Sequence, residues 1–150
     1  MYERILVTLD GGSSSTAALA QAIVIARATG AEVEAVFVVD DSSPFLRVTG
    51  MDPVRLIEDL AMAGESVLAE ASTRLTRAGV RHTTRLLSKH MIKDDIATTL
   101  AAEANAWPAD LIVMGTHGRR GARRLIMGSV SQGVIAQTNA PVVLVRGEKP

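Results

Sequence analysis

Glycine, arginine and serine are concentrated in one stretch of the chain, Gly115-Thr116-His117-Gly118-Arg119-Arg120-Gly121-Ala122-Arg123-Arg124-Leu125-Ile126-Met127-Gly128-Ser129. These residue types at this spacing suit the binding of an oxyanion. Glycines permit positive φ and let a ligand approach the backbone with no Cβ in the way. Val130, Val134 and Ile135 follow at helical spacing, so the stretch ends at a helix N-terminus. Unpaired N–H groups and the helix dipole favour negative charge there. Ser129 and Ser131 add hydroxyl donors at the same end. Together these features describe a phosphate cradle. The competing reading is a basic surface connector, since glycine and arginine are common in loops, and a lone G-x-x-G does not decide between the two.

Position in the fold strengthens the first reading. Five short apolar runs, Ile5–Leu9, Val33–Val39, Thr84–Leu87, Leu111–Met114 and Val142–Val145, are mostly consecutive rather than alternating. That pattern predicts strands buried on both faces. Arg85 interrupts the third run and makes it the weakest. Helix-period stretches lie between the runs. Leu19, Ala22, Ile23 and Ala26 precede a stop at Gly30. A long helix opens at Asp52-Pro53, an N-cap followed by a first-turn proline, and is expected to turn Leu56, Leu60, Ala63, Val67, Ala71 and Leu75 inward before Gly79. Ile92, Ile96, Leu100 and Ala104 mark a third helix. Strict alternation of strand and helix predicts an α/β fold, a single domain over residues 1–150 with helices on both faces of a five-stranded parallel sheet. Ligands of such sheets bind beyond the carboxyl ends of the strands, where strand order reverses. Order 3-2-1-4-5 puts the reversal between the strands ending in Asp10-Gly11-Gly12 and Gly115-Thr116-His117-Gly118. Order 2-1-3-4-5 would use the third strand, which ends in Ser88-Lys89-His90 without glycine, so the first order is favoured. Asp40–Met51 is the one extended irregular piece, read as a surface loop in preference to a ligand cover or partner contact.

Composition narrows the function classes. The chain has 150 residues, 47% of them hydrophobic, and 16 basic residues balance 16 acidic ones. One domain is the expectation at this length, and balanced charge offers no global field for nucleic acid or acidic membranes. Cysteine is absent, which excludes disulfides and thiolate metal sites. No apolar run is long enough for a membrane span, and the opening residues lack the sections of a signal peptide, so a cytoplasmic location is expected.

The loop then meets a known pattern. Gly115-x2-Gly118-x9-Gly128-Ser129 matches without a gap the signature of ATP-binding universal stress proteins, and the chain resembles that family over nearly its whole length. The first strand ends in Asp10, Phe37-Val38-Val39-Asp40 closes the second, and Ala140-Pro141-Val142-Val143 enters the last. The resemblance implies a Rossmann-like homodimer holding ATP at the switch point. It assigns Asp10 to the ribose, the Val38 backbone to adenine, and Gly115, Gly118, Gly128, Ser129 and Ser131 to ribose and phosphates. Met114, His117, Arg119 and Val130 adjoin these positions along the chain and complete the candidate set. Two departures stand out. His90 and Ile92 replace a glycine and a proline often found after the third strand, and Gly12 replaces a serine, so that Ser13 or Ser14 is expected to cap the next helix.

The remaining candidates are weaker. Asp10 would hold a ribose hydroxyl or merely cap a helix, and the loop opposite favours the ribose. Arg119, Arg120, Arg123 and Arg124 could clamp phosphates, although an arginine run is more often a solvated face. His82 reads as a surface residue, and Asp94-Asp95 as helix N-terminal charge. Mg²⁺ or Mn²⁺ would arrive on the triphosphate rather than in a protein cage. No Walker lysine, nucleophile elbow or general base is evident. The expected function is therefore an ATP-binding stress regulator, dimeric through Val142–Val145 as an apolar edge strand. The alternative is a slow ATPase or a phosphoryl- or adenylyl-transferring enzyme.

Overall fold

The computed structural model describes residues 1–40, 52–88, 95–116 and 128–147. The Asp40–Met51 loop beyond Asp40 falls outside them, as do His90, Ile92, Asp94 and the loop from His117 to Met127. The elements are β1 (Arg4–Leu9), α1 (Ser13–Thr29), β2 (Glu32–Val39), α2 (Pro53–Arg77), β3 (His82–Ser88), α3 (Ile96–Ala106), β4 (Leu111–Gly115), α4 (Ser129–Gln137) and β5 (Val142–Val145). All strand pairs are parallel, in the order β3-β2-β1-β4-β5. No helix among the described residues is long and apolar enough to cross a membrane.

The consecutive apolar runs are explained by helices on both faces. Ile5, Val7, Val33, Ala35, Phe37, Leu111 and Val113 pack under α1 and α2, through Ala18, Leu19, Ala22, Leu68, Ala71 and Leu75. Leu6, Val36, Ile112 and Met114 pack under α3 and α4, through Ala97, Leu100, Ala104 and Val134. Neighbouring residues of a strand therefore enter opposite cores, and both must be apolar. The third strand starts two residues earlier than its apolar run. His82 and Thr83 continue the ladder opposite Val33 and Glu34, because backbone pairing on an edge strand requires no apolar side chain.

Helix boundaries follow local chemistry. Asp52 caps α2, its Oδ1 accepting the Val54 N–H at 3.1 Å, with Pro53 as the first helical residue. Asp95 caps α3 by accepting the Thr98 N–H at 2.8 Å. Gly30 (φ 76°) ends α1 in the left-handed conformation that glycine adopts without strain. The expected serine cap of α1 is not found. The helix begins one residue earlier than that expectation requires, so Gly12 is the N-cap and Ser13 and Ser14 already lie in the first turn. Ile135 of α4 faces outward, 44% exposed, leaving Val134 as the residue that anchors the helix.

His82 also departs from expectation. Its Nδ1 lies 2.9 Å from the Val80 carbonyl and its Nε2 2.8 Å from Ser72 Oγ. With Nδ1–H donating to the carbonyl, Nε2 accepts from the serine hydroxyl, and the ring ties α2 to the start of β3.

The inward face of α2 is rotated from the sequence expectation. Leu60, Val67, Ala71 and Leu75 do face the core, but they are joined by Ile57, Ala61 and Leu68 rather than by Leu56 and Ala63, which stay half-buried. Gly64, itself buried, sets this rotation. A Cβ on it would stand 2.6 Å from Phe37 Cδ1 and 2.8 Å from Leu86 Cδ1. Gly64→Ala improves helix propensity by about 1 kcal/mol, yet overpacking costs about 1–3 kcal/mol. Urea denaturation should show net destabilisation. A stabilised variant would mean that α2 slides freely on the sheet.

Candidate functional site

The site is built where β1 and β4 part. Their pairing runs Ile5 with Leu111, Leu6 with Ile112 and Val7 with Val113. Beyond that point β1 stays with β2, Leu9 opposite Phe37, and β4 stays with β5, Gly115 opposite Val145. The strands thus separate at the reversal of order, and each leads toward a helix N-terminus, α1 at Gly12 and α4 at Gly128. Neither terminus has a side-chain cap hydrogen bond. Both therefore bring helix N–H groups and the positive end of a dipole toward one crevice.

Asp10 closes β1. Its Oδ1 accepts the Gly12 N–H at 2.8 Å, which fixes the carboxylate over the turn; Gly11 takes φ 84° there. Ser15 Oγ accepts the Asp10 N–H at 3.3 Å and donates to the Gly12 carbonyl at 3.0 Å. Of the two roles considered for Asp10, these contacts show the one at the helix entry. It holds the entry to α1.

Packing gives Gly115 a reason of its own to be glycine. A Cβ there would meet Ser14 Oγ and stand 2.8 Å from both the Ser14 carbonyl carbon and Cβ. A Cβ on Gly147 would lie 2.8 Å from Ser13 Oγ and 2.9 Å from Ser14 N. Both glycines let the first turn of α1 seat against β4 and the end of β5. Gly147 carries no signature in the sequence, and only the packing reveals it. Gly128 is tight in its own way, its Cβ position 3.2 Å from the Thr116 carbonyl oxygen.

That carbonyl accepts the Gly128 N–H at 3.0 Å, and the Thr116 N–H donates to the Val145 carbonyl at 3.0 Å. The two ends of the glycine loop are therefore fastened together and to the sheet. Ser131 is buried and donates from Oγ to the Gly115 carbonyl at 3.4 Å, while Ser129 is exposed at the mouth and Val130 half-buried. Met114 is 3% exposed with its side chain in the core below α3 and α4, so it offers the crevice its backbone. Val38, at the end of β2, is half-buried. His117, Gly118 and Arg119 lie outside the described residues.

A cluster unnoticed in the sequence lies toward the other end of the strands. Glu34 of β2 and Glu103 of α3 are both buried, with Arg85 of β3 beside them. The signal was available as a single carboxylate within the apolar run of a doubly covered strand.

Residues 1–146 match the universal stress protein family. The chain is a member of that family. It is similar to a universal stress protein of Methanocaldococcus jannaschii, 34% identical over 150 residues that cover 99% of this chain and 85% of the relative. Among solved structures, a universal stress protein of Burkholderia pseudomallei superposes with TM-score 0.76 at 31% identity, covering 96% of both chains. One of Lactobacillus plantarum superposes with TM-score 0.82 at 25% identity, covering 97% of this chain and 98% of that one. In this universal stress protein the packing gives Gly115 and Gly128 different surroundings, the first turn of α1 for one and the Thr116 carbonyl for the other.

The division of tasks can be measured. Gly115→Ala should lower folding stability by about 1–3 kcal/mol, since the Ser14 backbone cannot move aside without lifting α1. Thermal or urea unfolding of the protein without added ligand checks this. Unchanged stability would return Gly115 to a purely ligand-facing role.

Proposed function

We propose that the crevice between β1 and β4 binds an adenine nucleotide, ATP first among the candidates, and that the whole chain acts as a single nucleotide-binding domain. The observation that carries this reading is the convergence of two helix N-termini, at Gly12 and Gly128, on the point where two adjacent strands separate. An anion seated there meets helix N–H groups from both sides. In this reading Asp10 holds the ribose, the Val38 backbone meets adenine, and Gly118, Gly128, Ser129 and Ser131 surround ribose and phosphates. Gly115 belongs with them, and Met114, His117, Arg119 and Val130 complete the proposed set. Mg²⁺ or Mn²⁺ would ride on the phosphates.

Three solved universal stress proteins sharing the fold support this ligand class. One is in complex with cAMP, one from Archaeoglobus fulgidus is in complex with dAMP, and one from Arabidopsis thaliana has AMP bound, at 24%, 21% and 16% identity. The role that follows is that of a cytoplasmic stress regulator whose nucleotide occupancy alters its partners.

Gly128→Val should weaken ATP binding at least tenfold, about 1.4 kcal/mol. The added carbons press on the Thr116 carbonyl and fill the approach of a phosphate. Calorimetric titration with ATP, ADP, AMP and cAMP checks this, with unfolding measured alongside. Equal affinity in a folded variant would remove the phosphate from this end of α4.

The homodimer is proposed to form through β5. All four of its residues are half-buried in the single chain, and the strand closes one edge of the sheet. An apolar edge pairs readily with a second copy about a two-fold axis. Light scattering at micromolar concentration should report a dimer, and Val143→Lys should shift it toward monomer. A wild-type monomer would refute the edge contact.

A further inference from the structure

Glu34 lies on β2 between Val33 and Ala35, 1% exposed, on the face shared with Leu6, Val36 and α3. Glu103, 8% exposed, comes toward the same place from α3. A single guanidinium, that of Arg85, cannot balance two carboxylates taken out of water, so burial of the pair calls for a proton on one of them. Arg85 comes from β3, with Nη1 3.2 Å from Glu103 Oε1 and Nε 4.0 Å from Glu34 Oε1. These contacts are ion pairs rather than aligned hydrogen bonds. Glu34 Oε2 and Glu103 Oε1 remain buried without a hydrogen-bond partner among the described residues. Among the described residues, the charges acting on Glu34 are Glu103 from α3, Arg85 from β3 and Glu32 from its own strand.

We infer that Glu34 and Glu103 form a proton-binding site, and that the single proton they share latches α3 to β2 beneath Arg85. With the proton in place, one carboxylate and one guanidinium balance. Without it, two buried carboxylates face one guanidinium, and repulsion acts across the contact between helix and sheet. Desolvation by burial is the first cause that pushes the Glu34 carboxyl up from 4.5 to about 8, followed by the neighbouring Glu103; Arg85 opposes the shift.

The sign of the linkage follows. Between these two values the unfolded chain has released a proton that the native protein retains. Stability is therefore greatest below the unfolded value, falls as pH rises from about 4.5 toward about 8, and levels off above. On its other side α3 packs tightly on α4, where a Cβ on Gly133 would lie 2.5 Å from Ala97 Cβ.

The test follows the glutamate side-chain carboxyl carbons of the whole protein by NMR between about pH 4 and pH 10. One carboxyl should titrate above about pH 7, and its transition should vanish in Glu34→Gln. In Arg85→Met it should move to still higher pH, because the guanidinium favours the ionised form. The melting temperature should fall from about pH 5 to pH 9 in the wild type, and by less than half as much in Glu34→Gln. If every wild-type glutamate titrates below about pH 6, the shared proton is overturned whether or not the variants fold. A high transition that survives Glu34→Gln overturns it equally, by assigning the proton elsewhere.

Discussion

Backbone pairing between β1 and β4 stops at Val7 and Val113 while both strands run on, and the rest of the site depends on this divergence. Strands β2 and β5 carry the two ends away from each other, and the space between them is left to the turns at Asp10–Gly12 and Gly115–Thr116. A parallel sheet obliges each strand to be followed by a helix, so each turn ends in a helix N-terminus. Two dipoles of the same sense then point into the gap, and neither cap residue, Gly12 or Gly128, has a side chain to satisfy the first N–H groups. Helix α1 can sit this close to β4 because Gly115 and Gly147 carry no Cβ to hold it off. Electrostatic preference for an anion is thus a result of topology and close packing before any particular side chain contributes.

Much of this could be read in the sequence, for identifiable reasons. Strand order followed from where the glycines fell after the strands, at Asp10-Gly11-Gly12 and Gly115-Thr116-His117-Gly118 but not at Ser88-Lys89-His90. The caps at Asp52 and Asp95 are short-range events between an aspartate and an N–H two or three residues on, so local pattern suffices for them. What escaped was set by contacts distant in the chain. The rotation of α2 depends on Phe37 and Leu86 pressing on Gly64, and the task of Gly115 depends on Ser14. His82 looked like a surface residue because Ser72, its partner, belongs to the preceding helix. Arg85 looked like an interruption of a strand because Glu103 lies on another element.

The two ends of the sheet are built on contrasting principles. At the crevice, charge preference comes from backbone N–H groups and costs little desolvation, since the helix termini stay near solvent. Around Glu34 the charges belong to side chains placed in the interior, where each must be matched by a proton or a guanidinium. The first arrangement tolerates exchange of its occupant. The second is fixed by three side chains on three elements, β2, β3 and α3.

The bond from the Gly128 N–H to the Thr116 carbonyl turns residues 117–127 into a ring whose closure is secured by the scaffold itself. Entropy of closing such a ring grows only with the logarithm of its length, about 0.6 kcal/mol for each doubling. The segment can therefore lengthen, shorten or change composition while the sheet and both helix termini keep their places. A fold made this way separates inheritance of its architecture from inheritance of its ligand preference, and the second can drift across descendants while the first stays put.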